Sequence, residues 1–423
     1  MKFLENCSRS FLLNTFKEVV VTKVIQINSV CGQGSTGRIA QDISECARNN
    51  NIESIVLYGF RKSDYEFAQK INTEYNVHFD AFLTRFLGKR GSYNNGAAQR
   101  MIKIIEEYHP DIVHLHNIHG QYFNVYVLLE YLKKKDIPII WTFHDCWPFT
   151  DDCFYFDYIN CDGWKNGCVS CPIEKDCRHP MILHNSSRNR KKKISAFTTI
   201  SHMDIVCPAL WMADLVGQTE FNKYKIHVIN NGIDLTSFVP SESKKSNKFI
   251  ILGIVYTLYD RKGGKYFLDL AERLDERFQI LLLGLNSSEY SKLPSNITPI
   301  KKTNSKKELA QIYSAADVFI NPTLEDNFPT VNIEAIACGT PVITFETGGS
   351  PEIIDEKTGI VVNKGDVEGL VEAINIVYKK GKSSFSQKCI NRAHSLFSRE
   401  NMAQNYINLY RDVFEYKKGM GGI

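Results

Sequence analysis

Three absences bound what this chain can be. No apolar run approaches the roughly 20 residues needed to cross a bilayer. Phe11-Leu12-Leu13 is followed at once by Asn14, Lys17 and Glu18, so no signal-peptide core forms either. With neither feature, the expected location is the cytoplasm, with peripheral contact at a membrane surface left open. An excess of one charge is also missing: the formal net charge is +4 over 423 residues, which gives no nucleic-acid footprint. The run Arg188-Asn189-Arg190-Lys191-Lys192-Lys193 could touch acidic lipid or phosphate, but a solvated helix face is the simpler reading. Finally, no Asp-x-Asp triplet occurs. A divalent ion held in that way is not expected, and no cofactor is required for catalysis.

Cysteine, by contrast, is plentiful. Of the 12 in the chain, six fall between Cys146 and Cys177, and in a reducing compartment these are thiols or metal ligands sooner than disulfides. Only Cys168-Val169-Ser170-Cys171 has the two-residue spacing of a zinc knuckle. Together with Cys153 and Cys161 it could complete a four-thiolate structural zinc site, against the alternative of buried or redox-labile thiols. Such a site would staple an insertion with little core of its own and would perform no chemistry.

At 423 residues the chain is too long for one ordinary core, and two domains of about 200 residues each are expected. Residues 1–22 read as an N-terminal extension. Lys23 to Val30 is a strand that runs into Gly32, Gly34 and Gly37 and then a helical pattern through Ala47. The glycines match the G-x-G-x-x-G spacing of a dinucleotide fold. The next strand, however, ends Leu57-Tyr58-Gly59, without the acid that a nicotinamide ribose needs. The glycines still permit close backbone approach to a ligand. Two later strands end in DIVHLHN and PIIWTFH, which puts His116, His119 and His144 beyond strand carboxyl ends, where ligands bind in open α/β sheets.

A strand from Ala196 to Ser201, a helix from Pro208 to Val216 and a strand from Lys225 to Asn230 complete the first domain, residues 23–239. Its cysteine-rich insertion spans 146–180. The polar stretch Pro240 to Lys248 is the best linker in the chain. A second strand-first domain, 240–395, follows, and 396–423 is a closing helix that packs back on the first domain. Arg261-Lys262-Gly263-Gly264 precedes a helix to about Glu276. A basic pair at a helix start is poorly placed for the dipole, so it favours a ligand anion.

The densest chemistry lies in NPTLEDNFPTVNIEAIACGTPVITFETGG, Asn321 to Gly349. If Pro329 opens a helix, Asp326 sits in the loop before it and Glu334 one turn inside. Carboxylates suit sugar hydroxyls, and free helix amides suit phosphate. That combination reads as a nucleotide-sugar site.

These residues together resemble glycosyltransferase family 4, a retaining family with two facing Rossmann-like domains, the GT-B fold. The resemblance runs from Lys23 to about Tyr416, apart from the cysteine-rich insertion. It is carried by Glu325-Asp326-Asn327-Phe328-Pro329, Glu334 to Val342, the Gly32–Gly37 loop, Thr142-Phe143-His144-Asp145, Asn231-Gly232-Ile233-Asp234 and Arg261-Lys262-Gly263. The subgroup it is most similar to adds sugars to bacterial surface polysaccharides and shares the Cys/Trp-rich segment after His144.

The resemblance implies that Glu334 accepts the nucleotide ribose hydroxyls, Asp326 holds donor-sugar hydroxyls, and His144 lies near the sugar. Thr330 and Val331 would receive phosphate on their N–H groups, and Arg261 with Lys262 would neutralise the leaving diphosphate. The family has Glu at the first acidic position. Asp326 is shorter by a methylene, and Glu325 stands one place earlier, so both are candidates. The usual Gly-Arg pair after the first strand is also missing, because Gly253 is followed by Ile254; Arg261 is the substitute. The implied partners are a nucleotide-diphosphate sugar and a glycan or lipid-linked acceptor, with no nucleic acid, and a position in the cytoplasm or against the inner membrane surface. Two other readings stay open: an epimerase or phosphorylase on the same architecture, and a zinc-stapled RNA- or protein-binding module.

Overall fold

Continuous apolar runs become the centres of parallel sheets, because crossover helices cover both faces. The computed structural model describes residues 22–71, 92, 94–120, 122–166, 186–242 and 246–420. The N-terminal extension expected over 1–22 therefore lies, apart from Thr22, outside the described residues. The first sheet is built from β1 (Lys23–Asn28), β2 (Glu53–Tyr58), β3 (Ala68–Lys70), β4 (Ile112–Leu115), β5 (Ile139–Thr142), β6 (Met203–Cys207) and β7 (Lys225–Val228). All pairs are parallel, in the order β3-β2-β1-β4-β5-β6-β7. The second holds β8 (Phe249–Ile254), β9 (Phe278–Leu283), β10 (Ile297–Ile300), β11 (Val318–Asn321), β12 (Val342–Phe345) and β13 (Gly359–Val362). It is also parallel, in the order β10-β9-β8-β11-β12-β13. Strand order reverses between β1 and β4 and between β8 and β11, and each reversal opens a crevice at the strand carboxyl ends.

One segment differs from its sequence reading. The stretch Ala196 to Ser201, rich in β-branched and aromatic residues, is not a strand: Ala196 and Phe197 end the Ser186–Phe197 helix, and the strand follows at Met203–Cys207. The basic run explains this. Arg190 is buried and makes a two-pronged bond to Glu220, 3.0 Å for each nitrogen. Lys193 is also buried and donates to the carbonyls of Trp147 (2.6 Å) and Asp151 (2.7 Å). One face of the run is thus structural, and Arg188, Lys191 and Lys192 are exposed. No helix among the described residues is long and apolar enough to cross a membrane.

The last helix, Arg399–Met420, leaves the second domain and covers the first. Met402, Tyr406, Tyr410 and Phe414 pack on Ile39, Ile43 and Ile112. Its tyrosines also satisfy buried polar groups of the sheet: Tyr410 Oη lies 2.6 Å from His114 Nδ1, and Tyr406 Oη 3.0 Å from Thr142 Oγ1. The domains meet again where Glu352 accepts the N–H groups of Leu210 (2.8 Å) and Trp211 (2.9 Å). The Leu210–Gly217 helix has no side-chain cap of its own, so the other domain supplies one.

Removing one of these anchors tests the packing. Tyr410→Phe leaves His114 Nδ1 buried without its partner, a loss expected to cost about 1–3 kcal/mol. Urea denaturation should show a lower midpoint with an unchanged slope; an unaltered midpoint would mean the helix does not anchor through this bond.

Candidate active site between the two domains

The two sets of strand ends enclose a cleft of about 830 Å³. Ile254, Leu283 and Asn321, at the carboxyl ends of β8, β9 and β11, open into it from the second domain. Ser35, Arg38 and Asp42, from the Gly34–Asn49 helix, line it from the first. Lys262, Lys301, Lys302 and Lys306 add cations from the second domain.

The Thr330–Ala337 helix begins at this cleft. Pro329 is its N-cap residue, in extended backbone and with no side-chain cap bond, and not its first helical residue as the sequence suggested. The Thr330 and Val331 N–H groups consequently lack intrahelical partners, and both residues line the cleft. Glu334 follows on the same wall, buried, and receives the Tyr313 hydroxyl at 3.0 Å. Burial pushes its pKa from 4.5 up to about 7, against the opposing pull of Tyr313, Arg38 and Lys306. Arg38 belongs to the other domain, so the two walls already interact across the cleft.

Two glycines allow the basic loop and the acidic turn to be built. Gly263 has φ +78°, and a Cβ there would stand 1.9 Å from the Pro322 carbonyl oxygen. Gly348 has φ +52° and would put a Cβ 1.9 Å from the Asp326 carbonyl oxygen. Both positions demand glycine. Lys262 then forms an ion pair with Asp326. Arg261 Nη1 donates to the Glu325 carbonyl at 2.7 Å.

The two adjacent acids part company here. Glu325 is fully buried, and its carboxylate accepts the N–H groups of Phe156 (3.2 Å) and Tyr158 (3.0 Å) in the first domain. Burial raises its pKa to about 7, the two N–H bonds acting the other way. Glu325 is committed to holding the domains together, and Asp326 is the acid beside the basic pair.

In the first domain, a chain of side chains links the strand ends. Gln26 Oε1 lies 2.9 Å from His116 Nε2, and His116 Nδ1 lies 3.0 Å from His144 Nε2. A carbonyl oxygen only accepts, which makes His116 Nε2 the protonated nitrogen and His144 Nε2 a donor to His116. Burial keeps both rings neutral, with His144 pushed down to about 4. Beside them His119 and Asp145 form a 2.7 Å pair. Burial disfavours the Asp145 carboxylate, but His119 and the Trp147 N–H outweigh it and hold the pKa below its usual value. The His144 carbonyl accepts the Asn327 side-chain amide, so this strand end touches the acidic turn directly.

The predicted residues thus fall into two groups. Lys262, Thr330, Val331 and Glu334 line the cleft. Asp326, Arg261 and His144 lie beside it, on the loops that join its walls, and of the Gly32–Gly37 loop only Ser35 is on the lining. Sequence reasoning passed over Arg38 and Lys306. Arg38 had a signal, since it stands four residues after Gly34 and so shares the helix face of the loop; Lys306 had none. Cys153 is buried, and Cys161 Sγ accepts the Gly163 N–H at 3.4 Å. Cys168 and Cys171, the other half of the zinc expectation, lie outside the described residues.

Comparison with known proteins decides the family. Residues 36–237 match the model described as Glycosyltransferase Family 4, and residues 247–380 match that described as Glycosyl transferases group 1. The chain belongs to glycosyltransferase family 4. It is 22% identical over 420 residues to the glycosyl transferase WcaC of Escherichia coli (strain K12), a protein named for colanic acid biosynthesis, covering 92% of this chain and 100% of that one. A D-inositol 3-phosphate glycosyltransferase of Mycobacteroides abscessus is 25% identical over 214 residues, 46% of this chain and 48% of its own. Among solved structures, sucrose-phosphate synthase from Thermosynechococcus elongatus superposes with a TM-score of 0.64 at 16% identity, over 93% of this chain and 100% of its own. Anabaena Alr3699/HepE in complex with UDP-glucose does so at 0.60 and 14%, over 92% and 99%. These structural likenesses establish the GT-B fold of the family 4 chain.

Its buried acids set a pH dependence. Glu334 and Glu325 have folded-state values near 7 against 4.5 when unfolded, so between those limits the folded state binds more protons. Stability contributed by each is therefore present at the acid end and lost as pH rises through about 7. Relative to Glu334→Gln, the wild type should lose on the order of 2–3 kcal/mol between pH 5 and pH 8. Parallel denaturation curves for the two proteins across that range would contradict the assignment.

Proposed function

We propose that this glycosyltransferase moves a sugar from a nucleotide-diphosphate sugar to a hydroxyl of a glycan or lipid-linked acceptor, with retention of anomeric configuration, in polysaccharide biosynthesis. The observation that carries the proposal is the meeting, in one cleft, of a buried carboxylate, two free helix amides and cations from both domains. Full-length similarity to a colanic acid enzyme supports the polysaccharide setting, and the UDP-glucose complex of a GT-B neighbour supports the class of donor.

In this reading Glu334 accepts the ribose hydroxyls and the nucleotide lies along β8 and β9. The diphosphate meets the N–H groups of Thr330 and Val331, and Lys262 and Arg261 flank it. As the bond from the anomeric carbon to the phosphate oxygen breaks, negative charge grows on that oxygen. Helix amides and fixed cations stabilise it without reorganising, which is the largest lever available to such a site. Asp326 orients the sugar hydroxyls, with Lys262 holding its carboxylate in place. His144, neutral and tied to His116, offers the sugar an uncharged ring. The acceptor hydroxyl bonds to the anomeric carbon and gives its proton to the departing phosphate, so no protein base is called for. Asp326 and Glu334 bind the donor, and neither serves as an acid–nucleophile pair.

Incubation with radiolabelled nucleotide sugars and an extract of lipid-linked glycans should transfer label to the lipid fraction. Glu334→Ala is expected to reduce transfer at least a hundredfold with the fold intact by circular dichroism. Turnover unchanged in that variant would sink the assignment, and an inverted anomeric proton coupling in the product would remove retention from it.

A further inference from the structure

The segment after His144 crosses to the second domain at one turn, and that turn is gripped on every side. The Tyr155 ring lies over the Arg261 guanidinium, 3.4 Å from its central carbon to the ring centroid. Arg261 Nη1 donates to the Glu325 carbonyl at 2.7 Å, and the Glu325 carboxylate accepts the N–H groups of Phe156 and Tyr158. Lys364 donates to the Asp157 carbonyl at 2.7 Å and lies 3.2 Å from its carboxylate. The contacts form a closed circuit through Arg261, Tyr155, Phe156 and Glu325, with Lys364 holding the far side. The turn itself is a short 3-10 helix, Asp157–Ile159.

This is more machinery than docking a loop requires, and it converges on one cation. A free arginine carries about 2 kcal/mol of rotamer entropy, which is lost when it binds an anion. An aromatic ring against one face of the guanidinium, and a carbonyl on one edge, remove that freedom in advance. The ring occupies the face and leaves in-plane N–H donors for a ligand. Arg261 also precedes Lys262, which lines the cleft.

We propose that Tyr155 is a positioning residue: carried by the first domain, it stacks on Arg261 of the second and fixes that guanidinium for the distal phosphate of the donor. The segment after His144 thereby becomes part of the donor site, and the phosphate-binding cation is complete only when the domains are together. The proposal rests on the nucleotide-diphosphate reading of the cleft and adds to it a residue that touches no substrate.

Calorimetric titration with UDP, GDP and ADP, each beside its monophosphate, separates the two ideas. If the wild type binds none of the diphosphates, the donor reading fails and this proposal falls with it. If it binds one, Tyr155→Leu is expected to weaken that diphosphate about tenfold, as the loss of a desolvated cation–aromatic contact predicts, and to leave the monophosphate within about twofold. Tyr155→Phe should bind as the wild type does. Arg261→Lys keeps the charge without the plane and should show the same selective loss. Combining it with Tyr155→Leu should add nothing further, because both remove one interaction. Equal weakening of both nucleotides, additive losses, or undiminished diphosphate affinity in Arg261→Lys would overturn the proposal. The Arg261→Lys result decides even if Tyr155→Leu does not fold.

Discussion

Two carboxylates of the second domain, the buried Glu325 and the half-buried Glu352, grip backbone amides of the first, and the cleft depends on that arrangement. Glu325 takes the amides of Phe156 and Tyr158, and Glu352 takes those of Leu210 and Trp211 at a helix start. A buried carboxylate without such partners would be costly, so these contacts favour the domains together over the domains apart. The returning helix Arg399–Met420 ties the second domain to the back of the first sheet. Between these anchors the two crevices face each other. Neither domain alone holds Arg38 and Glu334 within electrostatic reach.

Charge inside the cleft follows from the same geometry. Glu334 is buried on a wall otherwise rich in cations and free amides, and burial there raises its pKa to about 7. A ribose that hydrogen-bonds the ionised carboxylate would stabilise the form that burial disfavours. Lys262 is shared with Asp326, so the Thr330 and Val331 amides, Arg261 beside the cleft, and Arg38, Lys301 and Lys302 on its lining carry most of the attraction for an anion. In the proposed donor complex this sets a carboxylate for hydroxyls apart from an amide-and-cation side for phosphate.

Much of this was legible before any coordinates. Apolar runs bounded by turns gave the central strands of both sheets, because a parallel sheet buried on both faces makes its strands near-continuous apolar runs; the short edge strands Ala68–Lys70 and Gly359–Val362, and Met203–Cys207, were not read. Glu334 and the Thr330–Val331 amides could be read from Pro329 and the spacing after it. The Ala196 to Ser201 segment misled because its Phe, Thr and Ile residues favour strands, whereas burial of Arg190 and Lys193 is a tertiary matter. The choice between Glu325 and Asp326 was beyond the sequence for the same reason: what separates them is a contact with Phe156 and Tyr158, some 170 residues away. Arg38 shares its helix face with the glycine loop, but its approach to Glu334 comes only from the docking of two domains, and Lys306 carried no local signal.

We propose that the cleft between Arg38 and Glu334 holds a nucleotide-diphosphate sugar. A thermal-shift panel of nucleotide sugars measures this most directly and needs no knowledge of the acceptor. A ligand at a hundredfold excess over its Kd stabilises by about 2.7 kcal/mol. One nucleotide's sugars are expected to raise the unfolding temperature of the wild type by several degrees, and Glu334→Ala to lose the shift. A panel in which no nucleotide sugar stabilises the wild type, or in which Glu334→Ala responds equally, would contradict it.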